Sequence, residues 1–328
     1  MVLLYNLFIL LFRLGITIAS FFNSKAGLWI HGRKNWRSKL KTDFTNNTNK
    51  TVWVHCASLG EFEQGRPIVE KLKKDYPNFK IILTFFSPSG YEIRKNYKNA
   101  DWVYYLPLDT AQNAAYFIET CKPSLCIIIK YEYWYHFLHQ LHKKQIPIFL
   151  VSAIFRKNAI FFKWYGSLHR KMLSFFNYLF VQNDESKYLL KDIIDEQKII
   201  VAGDTRFDTV AGNAQNFQPI EIIEQFVNVH SKIIVAGSTW SEDEIILSDF
   251  SQKNPAFKII IAPHEIGDEH ILQIQKLFKN AILYTDFFKN YSNQNILIIN
   301  TIGILSKIYK YADICYIGGG FNSSGIHN

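Results

Sequence analysis

The chain is poor in the residues that announce a disulfide scaffold or a familiar catalytic motif. Its four cysteines, Cys56, Cys121, Cys126 and Cys315, form no CxxC pair. That spacing argues against a disulfide framework, fits a reducing compartment, and leaves the thiols as small buried hydrophobes. GxSxG, HExxH and the P-loop lysine are missing, and the run Gly318-Gly319-Gly320 lacks the GxGxxG spacing of a dinucleotide site. No internal repeat of solenoid period is apparent. Negative charge is scarce at one end, where Asp43 is the single acid among the first 50 residues.

What is present describes a globular protein of more than one domain: 328 residues, 48% apolar and 20% charged. The net charge is +9, and residues 1–50 carry +7 of it through Arg13, Lys25, Arg33, Lys34, Arg37, Lys39, Lys41 and Lys50. A uniformly basic surface would suggest nucleic acid, whereas a basic block behind an apolar N terminus points to an anionic membrane surface. No nucleic-acid partner is expected. Residues 2–22 are long and apolar enough to span a bilayer, with Arg13 in their middle. A central arginine costs roughly 2.5–3.5 kcal/mol on insertion, which the neighbouring Leu, Ile and Phe can outweigh. Either a single span or a helix lying in the interface satisfies this pattern. The absence of a basic n-region and of an A-x-A site argues against a cleaved leader. The positive flank at 25–41 places the rest of the chain on the cytoplasmic side.

Beyond residue 50, short β-branched runs alternate with amphipathic stretches, the pattern of parallel α/β sheets. Strands are expected at 52–57, 80–84, 102–105, 125–130, 146–151, 178–181 and 198–202, then at 232–236, 258–262, 281–284, 296–300 and 314–317. The organisation expected is a membrane anchor (1–24), a basic juxtamembrane segment (25–50), an N-terminal Rossmann-like lobe (51–208), a linker (209–231) and a C-terminal lobe (232–328). The second series stops soon after its glycine run, so that lobe is expected to be incomplete.

In open α/β sheets ligands gather beyond the carboxyl ends of the strands. Four kinds of cluster fall there. Ser58-Leu59-Gly60-Glu61 makes a strand-to-helix turn carrying a carboxylate, which either does chemistry or complements a helix dipole. Lys130-Tyr131-Glu132-Tyr133-Trp134 combines charge with aromatics, suiting an anionic or sugar ligand or a surface ion pair. Gly203-Asp204-Thr205-Arg206-Phe207-Asp208 presents an arginine held by two acids. Gly237-Ser238-Thr239, Pro263-His264-Glu265, Gly303-Ile304-Leu305 and the glycine run suggest a nucleotide-binding lobe whose helix N termini hold an anion. His136, His139 and His142 occupy i, i+3 and i+6 on one helix, a solvated basic face rather than a metal set, since i+6 turns away and no carboxylate completes it. No metal or cofactor is expected.

Together these residues resemble the bacterial 3-deoxy-D-manno-octulosonic acid (Kdo) transferases of lipid A biosynthesis. The resemblance runs through HCASLGEFEQGRPIVEKL (55–72), LTFFSPSGYE (83–92), YLPLD (105–109), the Glu-x-Trp of 132–134, GDTRFD (203–208), AGSTW (236–240), APHE (262–265), GIL (303–305) and GGGF…GIHN (318–328). It implies an α/β fold of GT-B type, two Rossmann-like lobes facing across a cleft. It also implies inverting transfer of Kdo from CMP-Kdo to a lipid A precursor at the cytoplasmic face of the inner membrane. By the same resemblance Glu61 is the general base, and Lys130 and Arg206 stabilise charge. The CMP-Kdo-binding positions are Ser238, Thr239, Pro263, His264, Gly303, Ile304, Leu305, Gly319, Gly320, His327 and Asn328. The sequence departs from the family at Lys130, where many members have glutamate, and at His264, where arginine is usual. A GT-B transferase for another nucleotide sugar, or a two-lobed binding protein without catalysis, also fits the α/β pattern.

Overall fold

The structure, a computed structural model, describes residues 1–215, 217–227 and 232–321. The chain divides into two compact units, Met1–Thr209 and Val210–Asn328.

The first unit begins with three helices, α1 (Val2–Ala19), α2 (Ser24–His31) and α3 (Trp36–Phe44). An alternating series follows: β1 (Thr51–Cys56), α4 (Leu59–Asp75), β2 (Lys80–Phe85), α5 (Pro88–Arg94), β3 (Trp102–Tyr105), α6 (Ala111–Cys121), β4 (Pro123–Ile129) and α7 (Tyr135–Lys143). The unit closes with β5 (Ile148–Ala153), α8 (Ser167–Ser174), β6 (Tyr178–Val181), α9 (Asp184–Leu190), β7 (Ile199–Val201) and the start of α10 (Arg206–Gln215). Its seven strands lie in the order β3-β2-β1-β4-β5-β6-β7, with parallel pairing throughout. Every residue of β1 is buried, as a central strand covered by helices on both faces requires. Trp53 anchors one face, with its ring 4.9 Å from Phe117 and 5.6 Å from Phe137; Val52, Val54 and Cys56 fill the other. Successive strands step from β1 to β3 on one side, and β4 then returns to the opposite side of β1. The sheet therefore has its switch point between β1 and β4.

The second unit holds α11 (Glu221–Phe226), β8 (Ile233–Thr239), α12 (Ser241–Lys253), β9 (Lys258–Pro263), α13 (Asp268–Leu277), β10 (Ala281–Leu283), α14 (Phe287–Asn290), β11 (Ile296–Ile298), α15 (Leu305–Ile308) and β12 (Ile314–Ile317). Its strand order is β10-β11-β9-β8-β12, again parallel. The switch point here falls between β8 and β12.

Strands occur at all the expected places, with ends shifted by a few residues. The largest shift is at β8, which continues through Gly237-Ser238-Thr239 where a loop is expected. Segment 209–231 holds most of α10 and all of α11, whose Ile223 and Phe226 are fully buried in the second core.

The basic segment 25–50 is ordered as α2 and α3, and one of its cations, Arg33, is half-buried. Arg33 donates to the carbonyls of Leu106 (2.8 Å), Trp29 (3.1 Å) and Phe86 (2.7 Å). Its guanidinium also lies 3.7 Å from the Trp29 ring centroid and 4.7 Å from that of Tyr105. A planar fork with five donors suits this many-carbonyl site.

Helix α1 is long and apolar enough to cross a membrane. One of its faces is seated on the first unit. Tyr5 donates to Asp109 (2.6 Å), Asn6 Oδ1 meets His136 Nε2 (2.7 Å), Ile9 is buried, and Phe12 packs between Trp29 and Phe86. Positions 5, 9 and 12 recur at helical spacing, so this face runs along the helix. Of the histidine triplet, His139 and His142 are exposed as expected, their rings 5.8 and 5.0 Å from Phe175, whereas His136 is buried against α1. Three of the four cysteines are buried, and Cys315 is exposed on β12.

Candidate active site

At the β1/β4 switch point the two strands release their chains in different directions. After β1 the backbone enters α4 with Ser58 as N-cap, which puts Glu61 in the first helical turn. The Ser58 hydroxyl donates to the Glu61 carboxylate. The sequence S-x-x-E suggests a capping box, but the serine holds the acid itself rather than a backbone N–H. Gly60 is not required by the turn: a Cβ there would meet only Ser58 Oγ, at 3.7 Å.

After β4 the chain passes through Lys130 at φ 64°, in the left-handed region. A non-glycine residue there costs on the order of 1–2 kcal/mol, strain that tends to persist where function fixes a side chain. Desolvation lowers the Lys130 pKa, and Arg206 lowers it further, against the opposing pull of Glu61 and Asp204. Lys130, Glu61, Arg206 and Asp204 thus share one electrostatic neighbourhood. Arg206 opens α10 and is held by Asp204 through Nε (2.8 Å), Nη2 (2.5 Å) and its own backbone N–H (2.9 Å). Burial pushes Asp204 up, but the Arg206 hydrogen bonds outweigh it and keep the carboxyl below its usual range. Of the two acids expected around this arginine, Asp204 is the one that grips it in these contacts. The buried Cys56 thiol is raised by desolvation first and then by the charges of Glu61 and Glu132, which puts both carboxylates near the end of β1.

The second unit repeats the pattern at its own switch point. Ser238 takes φ 55° near the end of β8, and Gly319 takes φ 92° after β12. The Gly318 N–H donates to the Gly237 carbonyl (2.9 Å), and a Cβ on Gly318 would run into the Ser238 carbonyl and Thr239 Cα. That close approach is what glycine at 318 permits. Thr239 faces Pro263 in register, His264 N–H donates to the Thr239 carbonyl (2.9 Å), and the His264 ring stacks on Trp240 at 4.6 Å. Gly303 (φ 97°) precedes Ile304 and Leu305 at the start of α15, and both side chains pack on the second core. Ser238, Thr239, Pro263, His264, Gly319 and Gly320 thus lie at the carboxyl ends of β8, β9 and β12. His327 and Asn328 fall outside the described residues.

One expectation about this lobe needs correction. The N terminus of α12 is already occupied: Asp243 accepts from the backbone N–H groups of Trp240 (3.0 Å) and Gly319 (2.9 Å) and from the Tyr316 hydroxyl (2.7 Å). Glu244 beside it is buried and bonded to Thr239 and His270. The first turn of α13 carries Asp268 and Glu269. These acids already answer the dipoles of both helices, so neither terminus is a ready anion site. Sequence reasoning missed Asp243 because an acid in a first turn reads as ordinary helix chemistry.

The family model for "3-Deoxy-D-manno-octulosonic-acid transferase (kdotransferase)" matches residues 34–209. The 3-deoxy-D-manno-octulosonic acid transferase of Haemophilus influenzae is 26% identical, over 84% of this chain and 67% of its own length. That of Aquifex aeolicus is 28% identical over 86% and 73%. A bifunctional glycosyltransferase/methyltransferase of Fusobacterium nucleatum is 27% identical, and there the chain spans about half (47%) of the relative. Among solved structures, a UDP-GlcNAc 2-epimerase from Neisseria meningitidis aligns with a TM-score of 0.58 at 20% identity, over 81% of this chain and 76% of that one. The likeness shows the fold alone, two parallel α/β lobes of GT-B type. With a family model matching more than half its residues, the chain belongs to the 3-deoxy-D-manno-octulosonic-acid (Kdo) transferases, a family of glycosyltransferases.

Proposed function

We propose that this protein transfers Kdo from CMP-Kdo to a lipid A precursor, with Glu61 as general base. What carries the reading is the grouping at the β1/β4 switch point, where a carboxylate held by Ser58 shares its surroundings with Lys130 and Arg206. Glu61 takes the proton from the acceptor sugar hydroxyl as that oxygen attacks the Kdo anomeric carbon, inverting it. The bond from that carbon to the CMP phosphate oxygen breaks, and CMP leaves as a phosphate monoester. Lys130 and Arg206 answer the negative charge of the donor carboxylate and leaving group. The second lobe holds CMP through the strand ends that carry Ser238, Thr239, Pro263, His264 and Gly319, with Gly303, Ile304 and Leu305. Since α12 is capped by its own Asp243, the charge on the phosphate has to be met by side chains and loop N–H groups.

The acceptor is a lipid, and α1 supplies a matching surface. Leu3, Leu4, Leu7, Phe8, Leu11, Leu14 and Ile18 are exposed along it, while Tyr5, Asn6, Ile9 and Phe12 hold its other face to the protein. A helix bound along one face cannot also be ringed by lipid, so we place α1 in the membrane interface at the cytoplasmic face of the inner membrane. The test is incubation with CMP-Kdo, and in parallel with UDP-sugars, plus tetra-acylated lipid A precursor in mixed micelles. Product appears with CMP-Kdo; transfer only from a UDP-sugar sinks the donor assignment.

A further inference from the structure

We infer that Glu132 is a second substrate-binding carboxylate of this site, aimed by His55 to accept a hydrogen bond from an acceptor-sugar hydroxyl; the inference rests on the sugar-transfer reading above. The argument begins inside the sheet. His55 on β1 is opposite Thr84 on β2, and Trp53 lies two residues earlier on the same face. The Trp53 indole N–H donates to Thr84 Oγ1 at 2.8 Å, and His55 Nδ1 lies 2.8 Å from that same oxygen. His55 Nε2 points the other way, 3.4 Å from Glu132 Oε2, which also accepts from Trp134 Nε1 at 2.6 Å.

Donor accounting fixes the direction of this chain. An indole N–H only donates, so Thr84 accepts from Trp53. Thr84 is fully buried and its own proton needs an acceptor, which His55 Nδ1 supplies. The His55 proton then sits on Nε2, facing Glu132. The opposite tautomer would leave the Thr84 proton without a partner and set a nitrogen lone pair against a carboxylate. Hydrogen bonds aligned in one direction reinforce one another. They run from Trp53 through Thr84 and His55 to a carboxylate clamped from the other side by Trp134.

A core strand position has no packing need for an imidazole, and burying one costs free energy unless both nitrogens are satisfied. Here the satisfied imidazole ends on a group that is not itself spent. Both donors reach Glu132 Oε2, and its side chain is 18% exposed. The charges that shift Lys130 are those of Arg206, Glu61 and Asp204. Glu132 shares the end of β1 with Glu61. A fixed carboxylate with open lone pairs beside the base is suited to orient a hydroxyl-bearing substrate, and an ionised acceptor makes the stronger bond. His55 is a positioning residue, acting through Glu132.

The experiment uses the full chain in micelles, with the tetra-acylated glucosamine disaccharide as acceptor, wild type against Glu132→Gln and Thr84→Val. Glutamine keeps an oxygen for Trp134 and His55 but turns an amide donor toward substrate. The expected result is an acceptor Kd and KM weakened about 10-fold or more in Glu132→Gln, with the CMP-Kdo KM changed less than twofold. Thr84→Val gives a smaller loss in the same parameter. Nitrogen-15 histidine spectra read the His55 tautomer directly: Nε2–H in the wild type, and a mixture in Thr84→Val. Unchanged acceptor affinity in a folded Glu132→Gln protein overturns the assignment, as does an Nδ1–H tautomer at His55. A wild type that binds the disaccharide lipid without transferring to it defeats the reading of function and leaves this inference standing. One that does not bind it overturns both.

Discussion

The Arg206 guanidinium meets the Asp204 carboxylate through Nε at 2.8 Å and Nη2 at 2.5 Å. This side-on pair orients a permanent positive charge beside Lys130, whose own charge is made less favourable by burial and by that arginine. The two cations are therefore not equivalent. Arg206 stays charged at any working pH, while Lys130 can lose its proton.

A pH dependence follows. The Lys130 pKa is lowered, by desolvation first and then by Arg206, so its charge disappears at a lower pH than that of a free lysine. If its charge assists transfer, kcat/KM falls on an alkaline limb that begins below the usual lysine range. Lys130→Arg moves that limb to higher pH, since an arginine does not titrate there. A limb that stays put in Lys130→Arg assigns it to another group.

Asp109 predicts a stability change of opposite sign to the usual carboxylate. Burial raises its pKa from 3.8 to about 6, against the donors of Tyr5, His136 and Phe137. The ionised form is the one disfavoured by folding. Its contribution is full below pH 3.8 and is lost as pH rises through about 6. A shift of this size corresponds to roughly 3 kcal/mol. Denaturant unfolding at several pH values should show the wild type losing stability relative to Asp109→Asn across that window. Parallel curves contradict the assignment.

Arg33 is predicted to be structural. Arg33→Met leaves the carbonyls of Leu106, Trp29 and Phe86 without their donor, each worth about 1–3 kcal/mol when buried and unsatisfied. Unfolding free energy should fall by about 3 kcal/mol or more. Arg33→Lys recovers part of that, because one ammonium cannot serve three carbonyls from a fixed plane.

In the second unit, Gly318→Ala forces a Cβ into the Ser238 carbonyl and Thr239 Cα, so β12 must move away from β8. CMP affinity should drop about tenfold or more by calorimetry, while the histidine tautomer at His55 in the first unit is unaffected. Unchanged CMP affinity would separate this strand end from the donor site.

Much of this architecture was legible in the sequence, because continuous apolar runs such as LCIII before Lys130 read directly as strands buried on both faces. Glu61, Lys130 and Arg206 were legible through local motifs, each at a strand end. What escaped was set by long-range pairing. The His55–Glu132 contact links residues 77 apart, and Tyr5–Asp109 links residues 104 apart. No local period encodes either. One histidine of the α7 triplet escaped for the same reason: His139 and His142 are exposed as their face suggests, but α1 covers His136.

The most direct test of the account is the base itself. Wild type and Glu61→Gln are incubated with CMP-Kdo and lipid A precursor, and product is resolved by mass. The wild type should add Kdo, and Glu61→Gln should bind CMP-Kdo normally while transferring about 100-fold or more slowly. Transfer by Glu61→Gln at the wild-type rate would contradict the account.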